Sequence, residues 1–194
     1  MYNAEKLQRR GIDYRLLSYP DIRKAAGNDI FFLKVPVNDV NLQDVIDLDF
    51  AAYKDSHLKK EWYKERYNKT KSDLIICYNS ELDDVIGYIM VSPIKEDLYK
   101  AIINGVLGGD IDINPEMFVD KSDYYYISSC VIRDEYQKQG LGSFLMRTVT
   151  RKYQNKYLCA ISISEGGYKI LSKYLKIQWT IPNNKYVFIN KKKL

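Results

Sequence analysis

Histidine is almost absent from this chain, with His57 the sole copy among 194 residues. A site built on paired imidazoles is therefore excluded. His57 itself lies in a lysine-rich helical stretch with no partner motif and reads as a surface residue. Cysteine is also scarce: Cys77, Cys130 and Cys159 are the whole set. Each falls in an apolar run, their number is odd, and their spacing matches no zinc pattern. They read as buried reduced thiols of a cytoplasmic protein, with no metal site. No apolar segment follows Met1, and no run approaches the ~20 residues that span a bilayer. A soluble intracellular protein without a membrane partner is expected. The terminal Lys192-Lys193-Leu194 lacks the serine of a peroxisomal address. Positive charge is not concentrated either. The formal net charge is +5, and its clearest local source is the terminal run Lys191-Lys192-Lys193. No stripe of Lys and Arg with stacking residues beside it is present, which argues against nucleic acid. An anionic small molecule fits as well and needs fewer basic residues.

The chain does have the length for one α/β domain with a substantial core. Tyrosine is abundant, eighteen copies against six Phe, so many rings should sit where core meets solvent. Residues 1–28 are polar and broken by Gly11, Pro20 and Gly27, an N-terminal extension with a short helix. Residues 29–194 form the main domain. Ile30 to Val37 reads as an edge strand ending at Pro36. Asn41 is placed as the cap of a helix with Leu42, Val45, Ile46, Phe50 and Tyr53 at helical spacing. A second amphipathic helix covers Leu58 to Asn68. Asp73 to Tyr78 and Val85 to Val91 read as a hairpin, and Ile94 to Asn104 as a helix stopped by Gly105. Gly105 to Asp123 is a long acidic loop, a length that favours a functional role. Strand Tyr124–Ile132, helix Leu141–Asn155, strand Leu158–Ile163, helix Glu165–Leu175 and a closing pair around Pro182-Asn183 follow. No internal repeat and no low-complexity linker interrupts this order.

The segment between the strand at Tyr124–Ile132 and the following helix carries the chemistry. A strand that turns through glycines into a helix exposes backbone N–H groups at the helix N-terminus. Those donors and the positive end of the helix dipole attract phosphate. Gly140 and Gly142 permit close approach and unusual turn geometry. Gln137 and Gln139 add side-chain donors, and Lys138 and Arg147 add positive charge. A Rossmann fingerprint fails because Leu145 stands at the third glycine, and Gly142-Ser143-Phe144 fails the Walker A pattern. By physics alone this is a phosphate site of unspecified kind, with helix–strand packing as the plain alternative for the glycines.

The hexapeptide Gln137-Lys138-Gln139-Gly140-Leu141-Gly142 resembles the Gln/Arg-x-x-Gly-x-Gly/Ala signature of the GNAT superfamily of N-acetyltransferases. It stands after a strand and opens an amphipathic helix, and Ile132-Arg133-Asp134-Glu135-Tyr136 looks like that family's strand end. The resemblance covers roughly Ile30 to Asn190. It implies an α/β (α+β) GNAT fold, a mixed and mostly antiparallel sheet with helices on both faces. It further implies acetyl-CoA as co-substrate, its pyrophosphate held by Gln137, Lys138, Gln139, Gly140, Leu141, Gly142 and Ser143. The pantetheine arm would lie along the backbone of Cys130, Val131 and Ile132, with the N–H near Ile132 polarising the thioester carbonyl. A free amine would attack directly in a ternary complex.

A general acid for the departing thiolate is also implied. Tyr174-Leu175-Lys176-Ile177-Gln178-Trp179 lies over the family's Tyr-x-x-x-Gly-Phe ending and nominates Tyr174. Gln178 stands where the glycine is usual, and a two-residue shift substitutes Ser172, while Tyr168 is a third option. No general base stands out, though carboxylates of the Gly105–Asp123 loop (Asp110, Asp112, Glu116, Asp120, Asp123) suit a cationic amine. Arg147, Arg151 and Lys152 suit the CoA phosphates or a solvated helix face. The acceptor is an amine on a small molecule or peptide. Two rivals stand beside the enzyme: a GNAT-like domain that binds acyl-CoA without turnover, and an interaction domain. The motif fixes neither the acceptor nor the oligomeric state, and a homodimer is left open.

Overall fold

In the computed structural model, the described residues are 4–12, 22–24, 30–53, 61, 65, 70, 72–107, 112–183 and 185–190. His57, Asp110, the terminal lysines and most of the helix expected at Leu58–Asn68 lie outside them, although Glu61 and Glu65 are helical. Helix α1 is Ala4–Arg9, followed by strands β1 (Ile22–Lys24) and β2 (Ile30–Val35) and helix α2 (Asp39–Ala52). Strands β3 (Asp73–Asn79) and β4 (Asp84–Ile94) lead to helix α3 (Glu96–Ile103) and strand β5 (Tyr124–Ile132). Helix α4 (Leu141–Lys152), strand β6 (Tyr157–Ser162), helix α5 (Glu165–Tyr174) and strands β7 (Leu175–Ile181) and β8 (Lys185–Asn190) complete the order. The strands pair in the order β1-β2-β3-β4-β5-β6-β8-β7. β5 and β6 pair in parallel, whereas β1–β2, β2–β3, β6–β8 and β7–β8 are antiparallel. The mixed, mostly antiparallel sheet is the expected one.

Contacts divide the chain into two compact units. One holds residues 1–56, 73–90 and 130–145, the other 57–72, 91–129 and 146–194. In the first unit, two expectations are corrected. β2 is not an edge strand, because β1 pairs with it from Ile22↔Leu33 to Lys24↔Phe31. Pro36 falls one residue past Val35, so its missing N–H never enters the ladder. The cap of α2 is Asn38, in extended backbone, whose side chain accepts from the Asn41 amide at 2.9 Å. Asn41 is instead fully buried, and its Nδ2 donates to Pro36 O at 2.6 Å and Arg10 O at 3.0 Å. Phe50, expected on the apolar face, is 47% exposed.

The second unit packs Ile94, Leu98, Tyr99 and Ile102 with Ile113, Phe118, Tyr126, Cys159 and Val187. Residues 112–123, the later part of the acidic segment, are therefore pinned to a core: Ile113 and Phe118 are buried, and Phe118 bridges Ile94. Its Pro115–Met117 turn is capped by Asn114, which accepts from the Glu116 amide at 2.9 Å. β4 runs on to Ile94, beyond the expected Val91, because every residue from Val85 onward is buried. Among the described residues, no helix is long and apolar enough to cross a membrane.

Candidate functional site

The loop between β5 and α4 lies wholly in the first unit, and its geometry begins with the strand exit. The Arg133 amide donates to Ile86 O at 2.9 Å, tying the end of β5 to β4. A Cβ on Gly87 would overlap the Ile132 side chain and come within 2.7 Å of Val131 O. Glycine is thus the residue that lets the two strands meet here. Gly87 is a lone glycine inside an apolar strand, a signal in the sequence of close backbone approach.

After Ile132 the chain makes a 3₁₀ turn, Asp134–Tyr136, closed by Tyr136 N to Arg133 O at 2.9 Å and Gln137 N to Asp134 O at 3.1 Å. Gln137 and Gln139 were expected to donate to a ligand. Gln137 Nε2 instead donates to Ile132 O at 3.0 Å and Asp134 Oδ1 at 2.8 Å, and Gln139 Nε2 to Glu135 O at 3.3 Å. Both side chains brace the loop from within. Lys138 (φ 61°) and Gly140 (φ 86°) are left-handed on either side of Gln139. Such alternation turns successive amides toward one side.

The first helical bond of α4 is Phe144 N to Gly140 O at 3.0 Å. The amides before it have no carbonyl to reach within the helix. Among the described residues, no group accepts from the amides of Lys138, Gln139, Gly140, Leu141, Gly142 or Ser143. Lys138, Gln139 and Gly140 are exposed, Gly142 and Ser143 half-buried, and Leu141 is anchored at 2% exposure. Gly140 has open space where a Cβ would stand, so its backbone angle is what requires glycine; for Gly142 the nearest atom is Ile132 Cγ1, at 3.8 Å.

Upstream, Cys130 and Ile132 are half-buried and Val131 is buried. Desolvation pushes the Cys130 thiol up to about 12. A thiol held protonated at neutral pH is a poor nucleophile. Cys77 and Cys159 are buried free thiols as expected, both also raised by burial.

In the second unit, the parallel β5–β6 register runs from Tyr124↔Tyr157 to Ile127↔Ala160. β5 extends past that last pair to Ile132. Tyr174 is the final residue of α5, half-buried, and among the described residues its hydroxyl has no hydrogen-bond partner. Its two competitors make other contacts. The Tyr168 ring packs 4.5 Å from Tyr186 and 6.0 Å from Phe188, and Ser172 Oγ donates to Lys169 O at 3.2 Å. Arg151 and Lys152 are exposed in the last turn of α4, with Lys152 Nζ 5.3 Å from the Tyr153 ring centre. In the acidic segment, Asp123 pairs with Lys156. Among the described residues, no cluster of His, Cys, Asp or Glu could hold a metal ion.

A strand, a glycine turn with unfilled amides and a helix, set in a mixed sheet, make an anion cradle of the kind the GNAT fold carries. Residues 42–165 match the acetyltransferase (GNAT) family, more than half of the chain, and the chain belongs to that family. Three solved structures share the fold. The histone acetyltransferase HPA2 and related acetyltransferase of Corynebacterium glutamicum covers 86% of this chain and 98% of its own, at 10% identity and TM-score 0.58. NAA60 of Arabidopsis thaliana in complex with acetyl-CoA covers 82% and 97%, at 15% identity and TM-score 0.52. Naa50 of the same plant, in complex with the bisubstrate analogue CoA-Ac-MVNAL, covers 84% and 99%, at 16% identity and TM-score 0.55. No curated protein matches the chain in sequence.

Proposed function

We propose that this acetyltransferase moves an acetyl group from acetyl-CoA to a primary amine by direct attack in a ternary complex. The observation that carries the reading is the row of unfilled backbone amides from Lys138 to Ser143 at the start of α4. Such a row is a ready anion site, and the pyrophosphate of acetyl-CoA is its proposed occupant. The backbone of Cys130, Val131 and Ile132 would receive the pantetheine arm, with the N–H near Ile132 polarising the thioester carbonyl. The amine nitrogen forms the new C–N bond, the C–S bond breaks, and the thiolate takes the hydroxyl proton of Tyr174. The proton left on the new amide nitrogen passes to solvent, which also reprotonates Tyr174.

The register that selects Tyr174 has support from β7. Pairing with β8 slips between Ile177 and Trp179, placing a bulge at Gln178. Bulges are frequent sites for glycine in strands, and Gln178 stands where the family ending has glycine. The raised Cys130 thiol supports direct transfer over a covalent cysteine intermediate. An amine on a peptide is one acceptor class, suggested by the peptide part of CoA-Ac-MVNAL in the Naa50 complex. A cytoplasmic location belongs to the same proposal, since all three thiols are free.

The test is a melting curve with acetyl-CoA, then thiol release across a panel of amines. A ligand specific for the native state raises the melting temperature by mass action. No shift at millimolar acetyl-CoA overturns the proposal, and binding without turnover of any amine moves the protein to an acyl-CoA-binding role.

A further inference from the structure

The β3–β4 turn is the element packed behind the candidate cradle loop. Asp84 Oδ2 pairs with Arg133 Nη1 at 2.7 Å, and Asn79 Nδ2 donates to Tyr136 OH at 3.4 Å. Arg133 and Tyr136 begin and end the 3₁₀ turn that delivers the chain to Lys138 and Gly140. The β3–β4 turn is itself rigidly made. Asn79, 7% exposed, accepts from the amides of Glu81 at 3.0 Å and Leu82 at 3.1 Å. Tyr78 donates to Asp83, whose φ of 54° marks the tight corner. Lys6 on α1 donates to Asp83 O and lies 3.8 Å from its carboxylate. α1 lies outside the matched span of 42–165, yet it reaches the loop through this turn.

We infer that the turn from Asn79 to Asp84 is a positioning element for acyl-CoA, Asp84 setting the orientation of the loop amides through Arg133. The inference rests on the proposed acyl-CoA site. An ion pair with both side chains about a third exposed, 33% and 36%, adds little to stability. Its effect is geometric: it fixes the side chain of the residue that caps the 3₁₀ turn, next to a row of amides whose direction decides anion affinity. Charge alone argues the opposite way. Asp84 is a carboxylate beside a site for an anion, so neutralising it should tighten binding if it acts only through the field. Positioning predicts weakening. The sign separates the two.

The experiment measures acetyl-CoA affinity by calorimetry for wild type, Asp84→Asn, Tyr136→Phe and the control Asp47→Asn, an exposed α2 carboxylate that among the described residues is bonded only to Gln43. Asp84→Asn is expected to weaken binding by about two- to fivefold, the span that a part-exposed ion pair converts to. Tyr136→Phe should weaken it in the same direction, Asp47→Asn should leave it unchanged, and all melting temperatures should stay close to wild type. In turnover assays the KM for acetyl-CoA should rise with kcat at saturation preserved. Unchanged or tighter binding by Asp84→Asn, or equal weakening by Asp47→Asn, overturns the inference and leaves the acyl-CoA site standing. A wild-type protein that does not bind acetyl-CoA overturns both.

Discussion

Ile132 lies in the space that a side chain on Gly87 would occupy. The last residue of β5 is folded over the bare backbone of β4, with Val131 O within 2.7 Å of the absent Cβ. A Cβ on Gly142 would meet the same Ile132 side chain at ordinary van der Waals distance. Two glycines therefore flank one isoleucine at the point where strand gives way to cradle.

Gly87→Ala is expected to destabilise the fold by about 1–3 kcal/mol, because the new methyl group meets backbone as well as a side chain. Chemical denaturation measures this directly. A wild-type midpoint in the variant would show that β4 and β5 separate without cost.

Gly140 and Gly142 should respond differently to alanine. Gly140→Ala forces an alanine into φ 86° and should cost about 1–2 kcal/mol. Gly142→Ala meets nothing closer than 3.8 Å and should be neutral or slightly stabilising, as alanine is the better helix former. Equal losses in the two variants would contradict this division of roles.

Tyr174→Phe should lower kcat about a hundredfold, the lower range for loss of a general acid, with the KM for acetyl-CoA unchanged. Tyr168→Phe keeps the ring that packs on Tyr186 and should be nearly silent. Retained turnover in Tyr174→Phe removes it from the mechanism.

Alkaline pH should unfold the protein early. Burial raises Cys77 and Cys130 from 9.0 to about 12, and Tyr99 from 10.0 to about 12. Between those limits the unfolded chain has released protons that the folded chain keeps. Stability is then fully present below pH 9 and falls as pH rises toward 12, by at most about 1.4 kcal/mol per pH unit for each titrating group. Cys77→Ala should flatten the slope of a denaturation series over this window, and an unchanged slope counts against burial of the thiol.

Arg10 has no exposed surface; it pairs with Asp44, donates to Asn41 at 3.3 Å and lies 5.9 Å from the centre of the Tyr78 ring. Its Nε and Nη2 have no hydrogen-bond partner among the described residues. Burial raises the Asp44 carboxyl and Arg10 opposes that shift. Asp44→Ala should cost about 3 kcal/mol, the lower end for breaking a buried pair because Asp44 is 26% exposed. The double variant Arg10→Met with Asp44→Leu should cost no more than about 1 kcal/mol, since it removes both charges. A double variant as unstable as Asp44→Ala would show that packing, not charge, sets the cost.

Much of the candidate loop was legible because its signals are local. Gly140 is needed for its own backbone angle, and the helix start at Leu141 follows from the apolar spacing of Leu141, Leu145 and Val149, all buried. The bonds of Gln137 and Gln139 to carbonyls a few residues back were not legible, because they appear only when the turn is built. Asn41 was misjudged by three positions for a similar reason. An asparagine at either place could cap the helix locally, and the burial of Asn41 against Arg10 and Pro36 decided which one does.

By itself the sequence determined the periodic elements and the glycine turn after β5, because these depend on spacing along the chain. Only the tertiary structure decided that β1 covers β2, that Gly87 makes room for Ile132, and that Asp84 and Asn79 hold the turn before the cradle. Those contacts join residues far apart in sequence, and their free energy comes from packing and desolvation that no local pattern encodes.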